Sequence, residues 1–286
     1  MTGVAPPPPT LPTMPERPLT LMAVHAHPDD EAISTGGILA RASAEGVRTV
    51  LVTCTNGELG DAPGGIKPGE PGHDESVVVP LRRQELEASC EVLGISHLEL
   101  LSYHDSGMEG WPQNDEPGSF WRTPVPDAAD RLVALLRRYE PQVVVTYDEN
   151  GFYGHPDHIQ ANRVTQAAIA QWGVPTKLYY TAMARSRLHG FRDIMAEAGM
   201  ELPDDVQENP DFGTPDELIT TTVDCSAFTK QKYASLAAHA SQSDNIFFLR
   251  MGEEVFGTIM GSESFVRVLD PTGAPVPEDD LFAGLR

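Results

Sequence analysis

The sequence predicts an α/β protein with a Rossmann-like, mostly parallel sheet and helices on both faces. Three observations carry that prediction. Short apolar runs alternate with longer amphipathic stretches from residue 19 onward, the pattern of strand–helix–strand units. Runs such as "QVVVTY" are apolar throughout, as strands buried on both faces must be. Polar, glycine-rich loops follow the runs. With no linker inside 19–270 and no internal repeat, the reading is a single domain with an irregular C-terminal portion. A proline-rich leader (1–18) precedes it and a C-terminal tail (271–286) follows.

Taken in order, "LTLMAV" (19–24) reads as a buried strand and "ISTGGILARASAEG" (33–46) as a helix ending at Gly46. "VRTVLVTC" (47–54) is again strand-like, and a loop rich in Gly, Pro and Asp runs from 56 to about 79. "PLRRQELEASCEVLG" (80–94) has helical spacing, with Pro80 near its first turn and Gly94 as a stop. "HLELLSY" (97–103) is a strand, "PDAADRLVALLRRYEP" (126–141) an amphipathic helix and "QVVVTY" (142–147) a strand. A helix at 158–173 and a strand at 176–182 continue the alternation. Beyond them the pattern weakens: a helix near 186–199, a strand in "ELITTTVD" and a helix over 228–239.

Composition narrows the functional classes. Twenty Lys+Arg against 42 Asp+Glu give the 286 residues a net charge of −22, without a basic cluster, which argues against nucleic acid and anionic membrane surfaces as partners. No apolar run is long enough to span a bilayer. The N-terminal "MTGVAPPPPTLPTMPERP" lacks a basic region followed by an apolar stretch and is read as a disordered or polyproline leader, not a signal peptide. Cys54, Cys90 and Cys225 are odd in number, widely spaced and free of CxxC, as expected of small core residues in a reducing compartment. A cytoplasmic protein is the economical reading, and a homo-oligomer is left open.

The chemistry concentrates where strands end. In open α/β sheets ligands bind outside the carboxyl ends of the strands, and four polar segments fall there: "HAHPDDE", "TNGELGD", "HDSGME" and "DENGFYGHPDH". Two of them carry HPD tripeptides, His27–Asp29 and His155–Asp157. Proline fixes its own φ and extends the preceding residue, so each tripeptide presents His and Asp stiffly. A lone histidine at such a place is more often a helix cap or a turn residue. A duplicated HPD on one rim instead suits imidazole and carboxylate ligands around Zn²⁺, with Fe²⁺ or another divalent ion as alternatives. A dinucleotide or phosphate loop is absent, because neither G-x-G-x-x-G nor G-x-x-x-x-G-K-[ST] follows the first strand. Glu31 reads as an acidic residue at a helix N-terminus, with a rival role as proton acceptor. His25 either supports a ligand or is simply packed. His73, His97, His104 and His189 keep no such company, and Trp111, Phe120 and Trp121 read as packed loop aromatics ahead of a sugar-stacking wall.

"AHPDDE" followed by "GHPDH" resembles the PIG-L/LmbE-like family of metal-dependent N-deacetylases over roughly residues 19–242. The resemblance implies a Rossmann-like fold and hydrolysis of the acetamide of an N-acetylglucosaminyl or related amino-sugar compound, such as a mycothiol precursor or a natural-product glycoside. It implies His27, Asp30 and His158 as metal ligands and Asp29 as general base. It further implies His155 as the imidazolium facing the oxyanion, Asp157 behind it tuning its charge, and Tyr153 assisting near the carbonyl. Arg82 and Asp105 match positions that contact substrate hydroxyls, and His239 one near the site. "TYDENG" is closer to the mycothiol conjugate amidase, so an amidase acting on a larger acyl group is the alternative. A non-catalytic carbohydrate-binding protein of the same fold is the other.

Overall fold

The computed structural model describes residues 18–174, 176–188, 190–191 and 213–286, and only the backbone at 244, 246 and 247. The leader up to residue 17, His189 and most of the helix expected near 186–199 lie outside the described residues.

Among the described residues seven strands form one sheet. In chain order they are β1 (Thr20–His25), β2 (Arg48–Thr55), β3 (His97–Tyr103), β4 (Val143–Thr146), β5 (Lys177–Ala182), β6 (Thr221–Asp224) and β7 (Ser262–Leu269), and across the sheet they run β3-β2-β1-β4-β5-β7-β6. β1 to β5 are parallel, whereas β7 returns antiparallel between β5 and β6. The β7 segment was expected to be irregular.

Among the described residues the α-helices are α1 (Asp30–Ser34), α2 (Gly36–Ala44), α3 (Glu75–Leu93), α4 (Val125–Tyr139), the single turn α5 (Gly151–Gly154), α6 (Pro156–Trp172), α7 (Thr229–Ala238), α8 (Ser243–Arg250) and α9 (Gly252–Met260). Side chains alternate along the strands into two cores. Met22, Val24, Val50, Val52 and Val144 pack under α4 and α6, whose Leu132, Leu136, Ala161 and Val164 face them. Leu21, Ala23, Leu51, Val143 and Val145 pack on the other side under Ile38, Leu39, Leu86 and Leu93 of α2 and α3. The α/β class and the helix-covered parallel sheet are thus those expected.

Three boundaries differ from the sequence reading. The helix expected at 33–46 starts earlier and breaks at Thr35 (φ −140°), whose hydroxyl hydrogen-bonds to the Glu31 carbonyl and the His25 ring. The helix expected at 80–94 starts at Glu75, because Asp74 caps it by accepting from the Ser76 N–H, so Pro80 lies inside the helix and not in its first turn. Residues beyond 270 are no tail. Glu278 is fully buried and accepts hydrogen bonds from Lys177, Tyr179, Thr221 and Arg267, while Leu281 and Phe282 join the α2/α3 core. Buried apolar area and a satisfied buried carboxylate hold this segment in the domain.

Candidate metal centre and base

Strand order reverses at β1, which lies between β2 and β4. The two HPD segments leave the carboxyl ends of β1 and β4, so both open onto the switch-point crevice between neighbouring strands. Residues more than a hundred apart in sequence therefore meet.

Donor atoms of three residues converge there, both oxygens of Asp30 among them. His27 Nδ1 lies 3.3 Å from Asp30 Oδ2, His158 Nε2 lies 3.4 Å from Asp30 Oδ1, and the two imidazole nitrogens are 3.3 Å apart. Ligand atoms at about 2.0–2.2 Å from a tetrahedral ion are separated by about 3.3–3.5 Å. The donor set and its spacing therefore fit a divalent metal ion.

The opposite ring atoms fix which nitrogen faces the cluster. His158 Nδ1 pairs with the Gly151 carbonyl at 3.2 Å, and His27 Nε2 pairs with Asp157 Oδ2 at 3.3 Å. A carboxylate or carbonyl behind an imidazole is the usual device for orienting a ligand histidine. Burial opposes charge on His27, yet Asp105, Asp157 and Asp30 together raise its pKa well above normal. The cluster favours positive charge. A second grouping, in which His155 joins His27 and His158, also brings ring nitrogens within 4.8 Å of one another. The Asp30 set has the spacing of a tetrahedral site, 3.3–3.4 Å, and His155 Nδ1 is already taken by the Asp157 N–H at 3.1 Å.

Tyr147, just past β4, was missed as a site residue because it reads as the end of a strand. Its hydroxyl donates to Asp30 Oδ2 at 2.7 Å and accepts the Ala26 N–H at 2.9 Å, while its ring stacks on His158 at 4.1 Å between centroids. His25 stands behind it, bonded to the Tyr147 hydroxyl (3.2 Å) and to Thr35 Oγ1 (2.8 Å). Burial pushes His25 down to about 4, so it is neutral. Support and packing, the two readings open for His25, are both its role.

Asp29 sits beside the donors and points elsewhere. Its backbone has φ 113°, a left-handed conformation that costs a non-glycine residue about 1–3 kcal/mol and concentrates at functional sites. Glu31 Oε2 accepts the Asp29 N–H at 3.0 Å, and Arg82 Nη2 donates to Asp29 Oδ2 at 3.1 Å. Burial raises the Asp29 carboxyl to about 6 against the opposing pull of Arg82.

Several expected roles are corrected by these contacts. Asp157 stands behind His27, accepting also from the Ser106 N–H (2.8 Å), and not behind the His155 ring. The imidazolium expected at His155 is disfavoured, because burial and the neighbouring His27 and His158 push it down to about 2; its Nδ1 accepts the Asp157 N–H, which places the proton of the neutral ring on Nε2. Arg82 is only 4 % exposed and its guanidinium is committed to Asp29 and to the carbonyls of Pro28 and Gly57. It braces Asp29 and the two loop carbonyls instead of lining the rim. A Cβ at Gly57 would fall 2.5 Å from Arg82 Nη1, so glycine there lets the loop close over the guanidinium. His239 is fully buried with Nε2 at 2.7 Å from Glu31 Oε1, behind the crevice and not lining it.

Asp105, 4 % exposed, brings Oδ1 to 3.7 Å from His27 Nε2 and receives the Gly107 N–H. Its own N–H donates to Glu58, so the loops after β2 and β3 are joined at the rim. Tyr153 is 44 % exposed, its ring 5.1 Å from His158 and 6.0 Å from His155, at the mouth. It is presented by a kinked turn in which Phe152 has φ 67°. Phe120 is core, stacked on Tyr103, and Trp121 lies under the Arg163 guanidinium.

A parallel α/β crevice whose donors could hold a divalent ion beside a separate carboxylate has the make-up of a metal-dependent hydrolase. Residues 22–169 match the family model described as PIG-L, GlcNAc-PI de-N-acetylase, and the chain belongs to that family. It is 42% identical to the 1D-myo-inositol 2-acetamido-2-deoxy-alpha-D-glucopyranoside deacetylase of Acidothermus cellulolyticus, over 93% of this chain and 95% of that one. Among solved structures it resembles N,N'-diacetylchitobiose deacetylase from Pyrococcus horikoshii (TM-score 0.55, 19% identity, 87% of this chain and 84% of that one). It also resembles 4-carboxy-2-hydroxymuconate hydratase from Pseudomonas putida KT2440 (TM-score 0.59, 20% identity, 90% and 99%). The fold thus carries more than one reaction, and the sequence family selects N-deacetylation. Among the described residues no helix is long and apolar enough to cross a membrane.

Proposed function

We propose that the protein removes the acetyl group from an N-acetylglucosaminyl inositol of the kind named for the Acidothermus relative, using Zn²⁺ held by His27, Asp30 and His158. The observation that carries the reaction is the convergence of those three donors at 3.3–3.4 Å, with Asp29 beside them on its own hydrogen bonds. Similarity over nearly the full length of both chains supports the substrate. Two imidazoles and a carboxylate without thiolate suit Zn²⁺, and Fe²⁺ shares that preference.

When bound, the ion supplies Lewis acidity at the amide carbonyl and a water of lowered pKa. Asp29 takes the proton of the attacking water. His155 Nε2–H donates to the developing oxyanion as a neutral imidazole. That ring proton is spent on the oxyanion, so Asp29 is the group that returns a proton to the leaving nitrogen. Tyr153, at the mouth, adds a hydroxyl near the carbonyl. Asp105, Glu58 and Asp148 near the crevice, in a chain of net charge −22, support an uncharged glycoside over a phosphorylated one.

The test is release of free amine from N-acetylglucosaminyl inositol and from its N-cysteinyl analogue, with metal analysis of the purified protein. Acetamide turnover is expected with one divalent ion per chain. Asp29→Asn is expected to lower kcat by about 10²–10⁴ while leaving metal content unchanged. A wild type that binds no divalent ion, or an Asp29→Asn variant as fast as wild type, would refute the mechanism. Preference for the cysteinyl amide would make the protein an amidase.

A further inference from the structure

Behind Asp29 lies a buried polar network that the hydrolytic steps do not use. Glu31, in α1, is wholly inaccessible. Its Oε2 accepts the Asp29 N–H at 3.0 Å. Its Oε1 faces His239 Nε2 at 2.7 Å and accepts from Ser89 Oγ at 2.5 Å, and Ser89 Oγ meets Ser235 Oγ at 2.7 Å. His239 ends α7, Ser235 lies within it and Ser89 lies in α3, so one carboxylate ties the base to two helices from distant parts of the chain. No substrate could reach either Glu31 or His239, both of which have no exposed surface.

We propose that Glu31, held by His239 and Ser89, is a positioning residue that keeps Asp29 in its left-handed conformation by accepting the Asp29 N–H. The reasoning is geometric. Asp29 at φ 113° relaxes to an ordinary backbone conformation unless its N–H and its carboxylate are both held. Arg82 holds the carboxylate at Oδ2, and Glu31 is the partner of the N–H. Relaxation would swing the carboxylate away from the water that it must deprotonate, and misplacement by about 1 Å costs about 10²-fold in rate. Glu31 in turn keeps its own orientation because its other oxygen is saturated by His239 and Ser89. The proposal rests on Asp29 as the base of a deacetylase. It assigns Glu31 no proton transfer.

Glu31→Ala and Glu31→Gln separate the possibilities. Glu31→Ala is expected to lower kcat by about 10–10²-fold with KM within about threefold and metal content unchanged, the signature of a transition-state defect. Glu31→Gln keeps an oxygen for the Asp29 N–H with its NH2 turned to Ser89 Oγ and to His239 Nε2, which accept from it once His239 is neutral, and is expected to restore kcat to within about fivefold of wild type. Should Glu31→Ala not fold, Glu31→Gln decides alone. A Gln variant as slow as Asp29→Asn would give Glu31 the proton chemistry and overturn the proposal, as would wild-type kcat in Glu31→Ala or a loss of rate that tracks loss of metal. Hydrogen exchange at the Asp29 amide gives a readout independent of turnover, with faster exchange expected in Glu31→Ala and protection retained in Glu31→Gln. Unchanged exchange in Glu31→Ala would overturn the proposal too. If the wild type released no amine while these exchange rates held, the deacetylase reading would fail and the positioning of Asp29 would stand.

Discussion

Replacing Tyr147 with Phe removes one oxygen from the support of the metal centre and little else. The ring remains to stack on His158, at 4.1 Å and 10° between planes. What disappears is the 2.7 Å hydrogen bond to Asp30 Oδ2, together with the partner of the Ala26 N–H and of His25 Nδ1. Asp30 Oδ2 keeps the His27 N–H at 2.7 Å, so that oxygen loses one of its two donors and the carboxylate gains freedom to rotate. A hydrogen bond to a charged group contributes about 1.5–3 kcal/mol. Loss of a partner that orients a ligand typically weakens metal affinity about 10–100-fold, or about 1.4–2.8 kcal/mol, the same range. The two estimates agree because the hydroxyl acts on Asp30 directly. Zn²⁺ affinity is to be measured by chelator competition on apo protein, with thermal unfolding of the apo and metal-loaded forms. Weaker binding and a smaller metal-induced rise in Tm are expected. A Kd within twofold of wild type would show that the His27 N–H alone sets Asp30, and would refute the reasoning.

Two further predictions concern the frame that carries the site. Gly37→Ala would place a Cβ 2.6 Å from Cys225 Cβ and 2.9 Å from Glu263 Oε1, where Glu263 caps α2 through the Gly37 and Ile38 N–H groups. Overpacking there is expected to cost about 1–3 kcal/mol by denaturant unfolding at an unchanged m-value, and a shift under about 0.5 kcal/mol would contradict it. Burial raises the Glu278 carboxyl, but Lys177, Thr221, Tyr179 and Arg267 outweigh it and hold the carboxyl below its normal range. Its contribution to stability is therefore present above about pH 4.3, the unfolded value, and is lost as pH falls through the folded value. Glu278→Gln strands the buried Lys177, so it is expected to cost about 3–5 kcal/mol at neutral pH, with the gap to wild type closing below about pH 4. A gap constant down to pH 3 would be evidence against this account.

Strands β1, β2, β4 and β5 were legible in the sequence because each is a run of residues buried on both faces, and β3, half-exposed at the sheet edge, was legible from its leucines between a helix stop and a polar loop. β7 was not. "SESFVRVL" mixes charged and apolar residues, and it becomes a strand only by pairing with β5, some eighty residues away, and with β6. The site residues divide similarly. Both HPD segments could be placed on one rim because proline and the strand ends constrain them locally. Arg82 and His239 were expected at the substrate because residue type signals chemistry and says nothing about accessibility. Arg82 is under the Gly57 loop, and His239 is behind Glu31.

By itself, the sequence determined which groups could form a metal centre and that they would leave strand ends on one rim of a parallel sheet, since apolar runs and proline act over a few residues. Only the tertiary structure decided which atom each group presents. His27 turns Nδ1 inward because Asp157, 130 residues on, takes Nε2. Tyr147 reaches back 117 residues to steady Asp30, and Glu31 reaches forward 208 to His239. Orientation, protonation and backbone strain depend on hydrogen-bond partners that chain folding alone supplies. Composition and periodicity hold no record of them.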